Sequence, residues 1–98
     1  MSVIYGKKED FELLTKEGLV LVDFHASWCG PCKMLGSVLE TLDIDVLKID
    51  VDECPELARE HGIMSVPTLM LFNEGELKGV NSGFMPKEML ENWINENK

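Results

Sequence analysis

The sequence predicts an α/β domain, a central mixed β-sheet with helices on both faces. Three observations predict it. Strand-like apolar stretches are interleaved with stretches that carry the 3.6-residue period of amphipathic helices. Glycines and prolines fall at the joints between them. The chain has 98 residues, 45 % of them hydrophobic, which is the size of one domain; such a chain buries roughly two-thirds of its unfolded surface around one core. No internal repeat, low-complexity tract or linker interrupts it, so residues 1–98 read as a single domain.

In order, residues 2–5 form a short strand before Gly6. Residues 8–17 place Phe11, Leu13 and Leu14 among charges, a short amphipathic helix closed by Gly18. Residues 19–25 are apolar on both faces, as a central buried strand requires. Residues 30–42 carry Met34, Leu35, Val38, Leu39 and Leu42 at helical spacing, one buried stripe. Residues 45–51 alternate as a strand, and Pro55 begins a helix through about Glu60 that Gly62 ends. Residues 68–73 form a strand, and the turn Asn73-Glu74-Gly75-Glu76 leads into an antiparallel strand near 76–82. Pro86 opens a last helix whose Met89, Leu90, Trp93 and Ile94 share one face. The order is β-α-β-α-β-α-β-β-α.

Eighteen Asp and Glu against nine Lys and Arg give a net charge of −9. Phosphates repel such a chain, which argues against nucleic acid or anionic lipid as its main partner. No apolar run approaches the ~20 residues that span a bilayer, and the first residues lack the apolar core of a secretory signal. A cytoplasmic location is expected. Three cysteines are too few for a disulfide scaffold, and two of them lie close together.

That pair lies in Trp28-Cys29-Gly30-Pro31-Cys32-Lys33, between a buried strand and an amphipathic helix. Cys29 falls at the helix N-terminus, where unpaired N–H groups and the macrodipole favour a thiolate. Cys32 follows within one helical turn, near enough for an intramolecular disulfide. Pro31 suits the first turn of a helix, and Gly30 lets another chain approach the sulfur. Two such thiols exchange a disulfide with a substrate, one attacking and the other resolving. Half of a zinc site is the rival; zinc wants four ligands, and beyond the pair only Cys54, His25 and His61 remain. Asp23 shares strand parity with Leu19 and Leu21, so its carboxylate faces the core, where burial raises its pKa and makes it a proton carrier. A hydrogen-bonded structural carboxylate is the alternative.

The chain resembles the thioredoxin family. Val22-Asp23-Phe24-His25-Ala26-Ser27 with the Trp28–Lys33 segment is similar to the family's active-site stretch. Ser65-Val66-Pro67-Thr68 is similar to its cis-proline loop, Asn73-Glu74-Gly75-Glu76 to its hairpin, and Ser82-Gly83-Phe84 to the glycine loop beside the disulfide. The resemblance covers nearly the whole chain and implies a thioredoxin fold. It also implies a protein disulfide reductase that cycles between dithiol and disulfide, without metal or organic cofactor. Cys29 is then the exposed nucleophile, Cys32 the partly buried resolving thiol, and Asp23 the acid that handles the proton of Cys32. Lys48 matches the lysine near that acid, though a solvated strand lysine is the plainer role. Pro67 matches the cis-proline, and Trp28, Gly30, Pro31, Val66 and Gly83 form an apolar docking patch. Thioredoxin reductase or an equivalent donor and protein disulfides are the implied partners, and a monomer is expected.

The sequence departs from the family in four places. His25 stands where tryptophan is usual; a protonated imidazole there stabilises the Cys29 thiolate near neutral pH. Ser37 replaces the proline that bends the active-site helix, and Gly36 permits a bend or close packing. The segment after that helix is short. Cys54 is extra, either a helix-cap filler or a second redox site whose pKa the helix end lowers. His61 belongs to a helix end, and Met34, Met89 and Trp93 to core stripes. A thiol oxidase on the same fold, a glutathione-dependent enzyme and a non-enzymatic docking module are the rivals. The Gly30-Pro31 dipeptide, the Trp28–Cys32 motif and the retained cysteines disfavour them in turn.

Overall fold

The computed structural model describes residues 3–98. Its elements are β1 (Val3–Gly6), α1 (Lys8–Leu14), β2 (Leu19–His25), α2 (Gly30–Leu39), β3 (Asp45–Asp50), α3 (Pro55–Glu60), β4 (Thr68–Asn73), β5 (Glu76–Ser82) and α4 (Lys87–Asn97). One five-stranded sheet has the order β1-β3-β2-β4-β5. β1 and β2 both run parallel to β3, while β4 is antiparallel to β2 and to β5. The expected mixed α/β sheet is what forms. Ser2, assigned to the first strand from sequence, lies outside the described residues.

β2 is central because its residues are apolar on both faces. Leu21 joins Val46, Leu69 and Leu71 beneath Leu35, Leu39, Leu90 and Ile94 of α2 and α4. Val20, Val22 and Phe24 join Leu47, Ile49 and Met70 beneath Phe11 of α1 and Leu57 of α3. Alternation along the strand therefore sorts the sheet into two cores. The hairpin from β4 to β5 turns at Glu74 and Gly75, both at positive φ, the geometry that matches strand twist in a two-residue loop.

Several boundaries and faces differ from the sequence reading. α1 stops at Leu14, and Thr15 is its C-cap, donating both its N–H at 3.2 Å and its hydroxyl at 2.7 Å to the Phe11 carbonyl. Leu13 then points to solvent, 66 % exposed, and Phe11 carries the packing. α2 ends at Leu39, and tight turns over residues 40–42 still deliver Leu42 to the core. Met34 and Met89 are exposed, not core; the stripes are Leu35 with Leu39, and Leu90 with Ile94, flanked by half-buried Val38 and Trp93. Val51 leaves β3 and instead donates its N–H to the His25 carbonyl at 2.9 Å.

Candidate active site

Cys29 is the N-cap of α2, with extended backbone at φ −98° and ψ 112°, and Pro31 occupies the first turn. Proline fits there because its missing N–H has no intrahelical partner to lose. The Cys29 Sγ accepts the Cys32 amide N–H at 3.1 Å, so a backbone donor at the helix start points at the sulfur. Cys29 and Cys32 are joined in a disulfide, with Cα atoms 5.2 Å apart. Cys29 is not the exposed thiol expected from the resemblance: in the disulfide both cysteines are buried and pack with Ala26, against Val51 and Val66.

The Val66–Pro67 peptide is cis, and the Val66 carbonyl oxygen lies 3.8 Å from Cys29 Sγ. Two contacts fix this loop. Gly83, at φ +99°, donates its N–H to the Pro67 carbonyl at 2.8 Å. Thr68 Oγ1 donates to the Ser65 carbonyl at 2.8 Å and shares a hydrogen bond of 3.1 Å with Ser82. Cys29, Val66, Pro67 and Gly83 thus meet at one end of the sheet. Gly30 stands beside them with open space where a side chain would project.

Trp28 is 69 % exposed, and its indole N–H donates to Asp52 Oδ2 at 2.8 Å, which sets the ring plane. Trp28, Val51, Ile63, Met64, Ser65 and Val66 line a groove of about 170 Å³ beside the cysteines. Met64 on its lip is 93 % exposed. Asp52, Ile63 and Met64 were missed from sequence. The run Asp50-Val51-Asp52 was a signal for Asp52, since Asp50 Oδ1 accepts the Asp52 N–H at 2.8 Å in a tight side-chain turn.

Asp23 is completely buried on the sheet face that α2 covers. Its neighbour across the β2–β3 register is Lys48, whose Nζ lies 3.6 Å from Asp23 Oδ2. Burial pushes the Asp23 pKa up to about 6, against the opposing pull of the Lys48 charge. Lys48 is itself buried, so the solvated-lysine role does not hold. Its ammonium sits 5.4 Å above the Tyr5 ring and would lie 3.1 Å from a Cβ placed on Gly36. Gly36 therefore serves close packing of α2 over the lysine.

His25 ends β2 with its ring edge-on to Tyr5, centroids 6.1 Å apart. Burial, reinforced by the Lys48 charge, lowers its pKa from 6.5. The ring is therefore neutral at pH 7, and the imidazolium expected beside Cys29 is not present there. Cys54 does cap α3, but without a side-chain hydrogen bond, and burial pushes its thiol pKa up rather than down. His61 is the C-cap of α3 and packs on Phe11, centroids 4.6 Å apart. Among the described residues, no three His, Cys, Asp or Glu side chains are grouped to hold a metal ion, and no helix is long and apolar enough to cross a membrane.

Comparison with known proteins agrees with this geometry. The family model described as Thioredoxin matches residues 2–96. A thioredoxin of Bacillus subtilis is 44 % identical over 102 aligned positions that cover 98 % of each chain. A thioredoxin of Staphylococcus epidermidis is 45 % identical over 96 positions, 92 % of each chain. The solved structure of a mutant thioredoxin from Halobacterium salinarum superposes with a TM-score of 0.84 at 38 % identity, covering 98 % of this chain and 90 % of that one.

Proposed function

Since this chain belongs to the thioredoxin family and is a protein-disulfide oxidoreductase, we propose that Cys29 attacks, Cys32 resolves and Asp23 takes the proton of Cys32. In the reduced protein the Cys29 thiolate attacks one sulfur of a substrate disulfide. That bond breaks, one substrate sulfur leaves as a thiolate, and a mixed disulfide forms on Cys29. Asp23 takes the proton of Cys32, and the Cys32 thiolate attacks Cys29 Sγ. The second substrate sulfur leaves, and the Cys29–Cys32 disulfide remains. Two electrons have passed to the substrate.

The observation that carries this reading is the place of Cys29 at the start of α2, with the Cys32 N–H on its sulfur at 3.1 Å. A donor and a helix end both favour the anion of Cys29 over that of Cys32. Lys48 holds Asp23 in its charge state, and Pro67 holds the Val66 backbone for an incoming strand. Trp28, Gly30, Pro31, Val66 and Gly83 form the surface on which the substrate docks, and the Val51–Met64 groove extends it. The family implies disulfide substrates and a reductase; thioredoxin reductase is the donor we assign. A single monomeric domain over 1–98, working in a reducing cytoplasm, fits a pair that must be re-reduced after each turnover.

Trapping tests the division of labour. Cys32→Ser should accumulate mixed disulfides on Cys29 from cell extract, and Cys29→Ser should accumulate none. Equal capture by the two variants would reverse or abolish the assignment.

A further inference from the structure

Three buried side-chain polar atoms among the described residues lack a hydrogen-bond partner: Oδ1 and Oδ2 of Asp23, and Nε2 of His25. They belong to residues two apart on one strand, so both side chains project from the same sheet face, ~6.6 Å apart along it. Orphaned buried polar groups are rare enough that each calls for a reason. Lys48 pairs with Asp23 across the strand register and lines one cleft with His25. Its ammonium is 3.6 Å from Asp23 Oδ2 and 5.4 Å above the Tyr5 ring, against whose other contact, His25, it also acts electrostatically. Asp23 is sealed from solvent, whereas Lys48 and His25 both line an open cleft of about 340 Å³.

We propose that His25 is the exit for the proton that Asp23 collects from Cys32, a positioning residue that links the buried acid to solvent through the cleft under Tyr5. The inference rests on Asp23 being the base for Cys32. Cys32 gives its proton to the Asp23 carboxylate and becomes the thiolate. The Asp23 carboxyl then passes that proton, through one water held by the Lys48 ammonium, to His25 Nε2. The imidazolium loses its Nδ1 proton to solvent in the cleft. Asp23 is left ionised and His25 neutral with its proton on Nε2; exchange with solvent returns that proton to Nδ1 and frees Nε2 for the next turnover. One proton has moved from Cys32 to solvent, and His25 exchanges no electrons.

The groups facing His25 suit this path. From β1, Tyr5 packs on the ring; from β3 come Lys48 and Asp50, and Lys7 and Glu53 complete the cleft wall. Lys48 disfavours the imidazolium, while Asp50 and Glu53 favour it. Burial raises Asp23 and lowers His25, so the acid and the imidazole shift toward one another from their ordinary values. The aromatic residue usual at the His25 position in the family offers no such acceptor.

Single-turnover reduction of a substrate disulfide, followed between about pH 5 and 8, separates attack by Cys29 from resolution by Cys32. His25→Phe should leave attack unchanged and slow resolution by about tenfold or more above pH 6. His25→Ala should slow it equally, and added imidazole should restore it by entering the emptied cleft. Resolution at the unmodified rate in His25→Phe overturns the proposal, as does a slow His25→Ala that imidazole leaves slow. Asp23→Asn is the companion. If it resolves normally, the base assignment itself fails; if it is slow while His25→Phe is not, only the exit route fails.

Discussion

Replacing Asp23 by Asn should stabilise the fold, and by an amount that depends on pH. The carboxyl is completely buried, and its pKa rises from 3.8 to about 6 on folding. Each pKa unit corresponds to about 1.4 kcal/mol, so ionising Asp23 costs the native state about 3 kcal/mol. The sign follows from proton counts. Between 3.8 and 6 the folded protein keeps a proton that the unfolded chain has released, so stability falls as pH rises through that window. Above it the full cost is present; below 3.8 both states are protonated and the cost vanishes. Asn resembles the neutral acid at every pH. The stability difference between Asp23→Asn and the natural protein should therefore be about 3 kcal/mol larger at pH 7.5 than at pH 3. For a domain of this size that corresponds to roughly 12–24 °C in Tm. Guanidinium unfolding of the disulfide form, read by tryptophan fluorescence across that range, measures it. A difference that stays flat with pH, or that favours the natural protein as pH rises, would refute the account of a buried carboxylate held up by desolvation.

Three further outcomes follow from the same neighbourhood. Lys48→Met removes the charge that opposes burial, so the Asp23 pKa should rise above about 6 and the pH profile of Cys32 resolution should move with it; carboxyl NMR titration reads the shift. Gly36→Ala gains ~1 kcal/mol of helix propensity, but its Cβ would lie 3.1 Å from Lys48 Nζ. Denaturation should show a modest gain, and titration should show Asp23 pushed further up as the ammonium retreats. Gly83→Ala meets no atom, yet it must hold φ +99°. It should lose roughly 1–2 kcal/mol from backbone strain alone, and slower substrate reduction should accompany any loosening of the Gly83–Pro67 hydrogen bond.

Much of the site was legible in the residues because it depends on local periods. Parity along residues 19–25 put Asp23 on a core face, since a strand alternates whatever lies beside it. Cys29 and Cys32 at the start of a helical pattern set the redox pair within one turn. Helical stripes were less legible at their edges. Met34 precedes Leu35, and Met89 precedes Leu90; adjacent helix positions diverge by about 100°, so only one of each pair reaches the centre of the buried face. The first helix ran three residues short, capped at Thr15 with its N–H and hydroxyl on one carbonyl, an end that periodicity does not register.

What the residues could not convey is strand order. The place of Lys48 opposite Asp23 came only from family resemblance, and nothing placed Tyr5 opposite Lys48 until β3 was seen between β1 and β2. That order decides the charge of His25. Read from sequence, a histidine four residues before Cys29 suggests a cation that stabilises a thiolate. With β3 inserted, its ring instead packs against Tyr5 and lines one cleft with Lys48, and burial with a like charge keeps it neutral. A neutral imidazole is of little use to the Cys29 anion, but it is the form that can accept a proton. The same topology that removes one role from His25 thus supplies the condition for the other.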